Sequence, residues 1–283
     1  MRVTICGARG STPASGPQTV RYGGHTSCVA LSHDGERPSL VLDAGTGIRT
    51  VTALLEGHPF TGAIVLGHLH WDHTQGLPFF AGADRPEART DLYMPAQGDA
   101  EEVLRRVMSP PHFPITPAEL RGTWRFLGLE PGTPTDIAGF TVLALEIPHK
   151  GGRTFGFRVS DATATVAYFS DHCPTALGPG PEGLGEYHPA ALALADHCDL
   201  LIHDAQYLDE ELPTRASFGH SSSGYATRLG QRAWARRVLL YHHDPPRTDD
   251  AIDAIVASHA RDPLPVDGAV EGMVIDLPSS PAP

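Results

Sequence analysis

Short β-branched apolar runs, each closed by Gly, Pro, Asp or His, recur along the whole chain and limit what it can fold into. They are Val3–Ile5, Val29–Leu31, Leu40–Leu42, Ala63–Leu66, Thr141–Leu145, Thr154–Val159, Thr165–Phe169, Leu200–Ile202 and Val238–Tyr241. Runs of this length, bounded by turn formers, read as strands. Helical stretches lie between the later ones. Pro189–Ala195 starts on a proline, and Ser222–Ala235 follows a serine cluster that can cap it. Thr248–Ala260 has Thr248 as cap, acids in its first turn, and Ile252, Ile255 and Val256 on one face. A strand-rich first third followed by alternating strands and helices predicts an α/β protein of sheets covered by helices. No repeat or linker divides the chain, so residues 1–283 read as one domain. The Pro-rich segments 108–124 and 173–189 read as ordered loops near the active site or an interface. The closing PSSPAP reads as a frayed end.

Hydrophobic residues make up 41% of the chain, enough for a proper core. With Lys+Arg 21 and Asp+Glu 33, the net charge of −12 repels phosphate backbones and disfavours nucleic acid as a partner. Bound divalent ions would offset that balance locally and could capture a small anion. Cys6, Cys28, Cys173 and Cys198 form no C-x-x-C pair, so they read as reduced thiols of a cytoplasmic protein. The start, MRVTICGARG, lacks the apolar stretch of a signal peptide. Runs such as Ala63–Leu66 fall far short of a membrane span.

One strand leads into Gly67-His68-Leu69-His70-Trp71-Asp72-His73-Thr74. Neutral imidazole and carboxylate are good ligands for zinc and similar ions. His68 and His70, two apart at a strand end, share a face. Asp72 and His73 turn the chain toward a second position, so the loop can serve two metals. Gly67 and Gly76 are expected to let the backbone turn closely there. These four side chains cannot fill two coordination spheres, and other strand ends supply candidates. His149 follows one run in LEIPHKG, Asp171 another in VAYFSDH, and His242 a third in VLLYHHDP. Strand ends are where α/β proteins gather functional groups. The assignment is His68, His70 and His149 on one ion, Asp72, His73 and His242 on the other, and Asp171 between them.

With GARGSTPASGPQTVRYGGHTSCV, LDAGTGIR, HLHWDHTQGLPFF, SPPHFP, IPHKGGRTFGFRVSD, YFSDH, HDAQY, GHSS and YHHDP in this order, the chain resembles the metallo-β-lactamase fold superfamily. The resemblance is to the branch with tRNase Z and the cyclic-nucleotide and phosphoribosyl cyclic phosphodiesterases. It implies an αββα sandwich with a dinuclear metal site at the sheet edge. It further implies His220, in Gly219-His220-Ser221, as the acid on the leaving oxygen, oriented by Asp204. Relatives usually carry glutamate at that second position, and aspartate is shorter. Asp72 would also position the nucleophile. The long basic insertion of tRNase Z has no counterpart here.

The implied activity is hydrolysis of a small cyclic phosphodiester, a cyclic nucleotide foremost, by attack of a metal-activated hydroxide. The ions would be two divalent metals, zinc first, with manganese or iron accepted by the same ligands. A phosphoribosyl cyclic phosphate, or a carboxylic ester, lactone or thioester, is the alternative substrate, and a degenerate binding protein the non-enzymatic one. The resemblance also allows a homodimer. Among the other histidines, His172 and His243 neighbour ligands and would point the opposite way. His33, His58, His188, His197 and His259 read as surface residues, and His25 as a hydrogen-bonded turn residue. His203 reads as packing or support for the site. His112 and Phe113 could stack on a base or pack as a loop.

Overall fold

Every predicted strand forms in the computed structural model, which describes residues 1–277; the PSSPAP tail lies outside the described residues. The strands are β1 (Arg2–Gly7), β2 (Cys28–Ser32), β3 (Leu40–Leu42), β4 (Thr61–Val65), β5 (Arg89–Pro95), β6 (Thr123–Leu129), β7 (Thr135–Ile137), β8 (Phe140–Glu146), β9 (Phe155–Ser160), β10 (Thr165–Phe169), β11 (Leu200–Asp204), β12 (Val238–Tyr241), β13 (Val266–Gly268) and β14 (Val274–Asp276). They build two 7-stranded sheets, ordered β14-β1-β2-β3-β4-β5-β6 and β13-β12-β11-β10-β9-β8-β7. Strands β3 to β6 run parallel in the first sheet, and β10 to β13 in the second.

Alternation along each strand explains why the runs are apolar throughout. Val29, Leu31, Leu40, Leu42 and Val65 face inward, where they meet Phe157, Val166, Ile202 and Leu239 of the second sheet. Their neighbours Ala30, Val41 and Ile64 face outward under α1 (Ile48–Leu54) and α3 (Ala100–Arg105). On the second sheet Ala167, Phe169, Leu201 and Leu240 face outward under α4 (Pro189–Ala195), α6 (Ser223–Arg232) and α7 (Asp249–Ser258). Strands covered on both faces cannot show a polar alternation. The layers are therefore helix, sheet, sheet, helix: the predicted αββα sandwich. The short α2 (Trp71–Thr74) and α5 (Leu212–Arg215) lie in connections.

The caps of α6 and α7 match the sequence reading: Ser222 accepts from the Tyr225 N–H and Thr248 from the Ala251 N–H, both at 3.2 Å. Both helices stop short of the predicted ends. Segment 108–124 is not loop throughout. It holds a single turn at Pro117–Glu119, and β6 begins at Thr123. No helix among the described residues is long and apolar enough to cross a membrane.

Candidate metal centre

The parallel strands of both sheets end at one edge, and the predicted ligands meet there. β4 delivers His68 and His70, and α2 carries Asp72 and His73. β8 leads to His149, β10 to Asp171 and β12 to His242. Asp171 stands in the middle. Its Oδ1 lies 3.1 Å from Nε2 of both His73 and His242, and its Oδ2 lies 3.3 Å from His149 Nε2 and 3.5 Å from His68 Nε2. Asp72 Oδ2 is 3.1 Å from the same His73 and His242 nitrogens. Ligand-type atoms of His68, His70, His149 and Asp171 form one group within 4.8 Å, and those of Asp72, His73 and His242 form another.

Several of these atoms have no hydrogen-bond partner although they are buried: both nitrogens of His68, Nε2 of His73 and Oδ1 of Asp171. His73 Nε2 and Asp171 Oδ1 lie 3.1 Å apart, yet neither has a hydrogen-bond partner. A buried polar atom left unpaired costs about 1–3 kcal/mol. A cluster of imidazole and carboxylate atoms within 4.8 Å of one another is the donor set that divalent cations take, so these residues fit such an ion.

Protonation agrees with that fit. Burial lowers the pKa of His68, His70 and His149, which keeps them in the neutral, ligating form. Burial pushes Asp72 and Asp171 up, but the surrounding imidazoles outweigh it and hold both as carboxylates. Burial also opposes a charge on His73, yet Asp72, Asp171 and Asp43 raise its pKa well above the ordinary value. A cation at His73 Nε2 would take the place of that proton.

The chain fixes which nitrogen of each ring faces inward. His73 Nδ1–H donates to Asp43 Oδ2 (2.9 Å), His149 Nδ1–H to the Gly219 carbonyl (2.7 Å), and His242 Nδ1–H to Gln206 Oε1 (2.9 Å). Each turns Nε2 toward the centre. Asp43 is fully buried and also accepts from the Gly67 N–H and the Tyr168 hydroxyl, both at 2.8 Å. The Ser11 N–H donates to Asp72 Oδ2 at 2.7 Å. Ser11, Asp43 and His242 all have positive φ (57°, 59° and 59°), a conformation a non-glycine residue keeps only where its surroundings impose it. Gly45 sits tightly under the ligand loop: a Cβ there would lie 2.2 Å from the Asp72 carbonyl oxygen. Gly76 in turn packs against the Gly45 carbonyl, whereas Gly67 would tolerate a side chain better and serves through its N–H.

Beside the centre, His220 Nδ1–H donates to Asp204 Oδ2 at 3.0 Å, so aspartate is long enough to reach. Asp204 also accepts from the N–H groups of His172 (3.0 Å), Gln206 (3.1 Å) and Ser221 (3.3 Å). Burial opposes protonation of His220, but Asp204, then Asp171 and Asp72, raise its pKa to about 9. Over these groups opens a cleft of about 360 Å³, lined by Ser11, His70, Trp71, Asp72, Asp171 and His220.

The other histidines sit elsewhere. His172 Nδ1 and His203 Nε2 are 3.0 Å apart in the core, and the His203 ring meets the Asp204 carbonyl at 2.6 Å. His243 bonds the Ala269 carbonyl at 2.9 Å, and burial pulls its pKa down to about 3. His25 is held by Thr46 and Glu271 in a turn. His259 is not a surface residue as expected: its side chain is largely buried against Asp262 and Thr227. Sequence reasoning missed Ser11, Gln206 and Tyr168. Gln206 directly follows Asp204-Ala205 at a strand end, which is a usable signal; the φ of Ser11 leaves none.

Residues 39–243 match the profile of the beta-lactamase superfamily domain. The chain is 24% identical to ribonuclease Z of Natronomonas pharaonis, over 94% of this chain and 91% of the relative. Its fold is similar to the metallo-beta-lactamase fold protein YhfI from Bacillus subtilis, with a TM-score of 0.68 and 22% identity over 97% of this chain and 98% of that one. It is also similar to the short form of human tRNase Z, with a TM-score of 0.65 and 21% identity over 98% and 100%. The chain is a metal-dependent hydrolase that belongs to the metallo-β-lactamase superfamily.

Proposed function

We propose that this enzyme hydrolyses a small cyclic phosphodiester, a cyclic nucleotide foremost, at a dinuclear zinc centre held by His68, His70, His149, Asp72, His73, His242 and the shared Asp171. The observation that carries the reading is Asp171, whose two oxygens face two separate imidazole groups beside the His220–Asp204 pair. Two divalent ions in such a site make a nucleophile of water near neutral pH and stabilise charge on phosphoryl oxygens.

The protein's own residues do the rest. Asp72, fixed by the Ser11 N–H and aimed into the cleft, orients the attacking water. His220, its pKa raised beside Asp204 and its Nδ1–H held by that residue, carries the proton that goes to the departing sugar oxygen. Four buried free cysteines accord with the reduced cytoplasm as its setting.

RNA is the second reading, favoured by the ribonuclease Z relatives. The test sets purified protein with zinc or manganese against a cyclic-nucleotide panel, bis-p-nitrophenyl phosphate and an RNA transcript. Cyclic nucleotides should be hydrolysed, and His70→Ala or Asp171→Ala should remove activity from a folded protein. Cleavage of RNA alone would replace the substrate assignment, and activity persisting in both variants would refute the site.

A further inference from the structure

A groove of about 970 Å³ runs beside the metal cleft, and the two share Trp71. Trp71 lies between the candidate ligands His70 and Asp72, yet its side chain is 74% exposed. Both neighbours turn inward, so the ring is left standing at the junction of cleft and groove. Phe79 and Phe113 meet edge to face at 6.0 Å along the same groove, with Phe79 57% exposed. Exposed aromatic rings on one groove suit a planar ring that stacks on one of them.

The charge of the groove is the second observation. In a chain with 33 acidic residues, no carboxylate lines it, while Arg49, Arg106 and His112 do. Among the described residues, neither Arg49 nor Arg106 makes an ion pair or a side-chain hydrogen bond, although the adjacent Arg105 is paired with Glu102. Arginines kept free of carboxylates beside an aromatic wall are matched to a phosphate. The scissile phosphate belongs in the metal cleft, so these cations answer to another one.

We propose that the groove is a nucleotide subsite, which takes a base on Trp71 and a second, non-scissile phosphate between Arg49 and Arg106. The preferred substrate is then a phosphodiester that carries two phosphates, a cyclic dinucleotide or a terminally phosphorylated linear one, with a cyclic mononucleotide hydrolysed less efficiently. This deepens the phosphodiesterase reading and rests on it. The volume suits a ligand of that size, since sites for small molecules span about 300–1,000 Å³.

The experiment compares kcat/KM for a cyclic dinucleotide, a 5′-phosphorylated linear dinucleotide and a cyclic mononucleotide with the wild type and the Arg49→Ala/Arg106→Ala variant. The variant's preference for two-phosphate over one-phosphate substrates should fall about tenfold or more, chiefly through KM. Trp71→Ala should raise KM for all three, and Trp71→Phe should restore most of it. An unchanged preference in the arginine variant overturns the subsite. The cyclic and linear arms tell which dinucleotide it serves. In parallel, binding of the same dinucleotides to metal-free protein is read by calorimetry. If the wild type hydrolyses no phosphodiester, the activity reading has failed by itself. Binding that weakens tenfold in the arginine variant then still supports the groove, and absence of binding overturns it.

Discussion

Replacing Asp43 by asparagine should weaken metal binding without touching a ligand. Asp43 Oδ1 accepts from the Gly67 N–H, and Oδ2 accepts from His73 Nδ1–H and the Tyr168 hydroxyl. In Asp43→Asn the carbonyl oxygen can keep Gly67, but an NH2 group replaces Oδ2. The Tyr168 hydroxyl can turn to accept. The His73 ring cannot, because two donors would then face each other 2.9 Å apart. A lost hydrogen bond to a buried charge costs about 1.5–3 kcal/mol. The ring can escape that cost by moving its proton to Nε2, the atom 3.1 Å from Asp72 and Asp171. The lone pair meant for the cation is then gone. Loss of such a bracing bond lowers affinity about 10–100-fold, equivalent to roughly 1.4–2.8 kcal/mol. Competition with a chromogenic chelator measures the affinity, and urea unfolding with and without zinc separates it from the stability loss. A folded Asp43→Asn protein that binds zinc as tightly as the wild type would refute the reasoning.

Other expectations follow from the same geometry. Saturating zinc, at about a thousand times its Kd, should stabilise the chelated protein by about 4 kcal/mol and raise Tm by roughly 10 °C; calorimetry showing no shift would contradict a specific site. Gly45→Ala should cost on the order of 1–3 kcal/mol and loosen zinc, since the new methyl group must displace the Asp72 carbonyl; an unfolding midpoint equal to wild type would count against it. Asp161 gives a pH test far from the centre. Burial raises its pKa, but hydrogen bonds from Thr163 and Ala164 outweigh that and lower it. A depressed pKa means the stabilisation is present above the unfolded value near 4 and is lost as pH falls through the folded value. Asp161→Asn should therefore cost on the order of 1 kcal/mol at pH 7 and progressively less below pH 4, and a pH-independent difference would argue against the assignment.

Much of this arrangement is legible in the sequence because the ligands follow apolar runs, and such runs signal strands whatever the fold. β5 and β6 are less so: Arg89–Pro95 and Thr123–Leu129 mix buried and exposed positions with charge and lack a clean apolar core. β7, β13 and β14 are three residues each, too short for any periodicity to register. His243, which alternation alone excludes from the ligand set, meets the Ala269 carbonyl instead, and alternation is an incomplete account of why. Alternation assumes an extended chain, whereas His242 has a φ of 59° and the backbone turns there. Tyr168 reads as one more apolar strand residue, and nothing nearby in sequence reveals that its hydroxyl meets Asp43, 125 positions earlier. Contacts of that range depend on how the sheets stack, which local pattern does not encode.

The division of the candidate ligands between the two sheets makes activity a conjunction of two folding events. His68, His70, Asp72 and His73 come from the chain before the turn that joins β6 to β7, and His149, Asp171 and His242 from the chain after it. Neither segment owns a complete set. A chain severed at that turn would yield two fragments that are each inert. Their recombination would be driven by the inward faces of both sheets, with β14 of the second fragment completing the edge of the first. Turnover would then report reassembly itself, because the candidate centre exists only where the two halves meet.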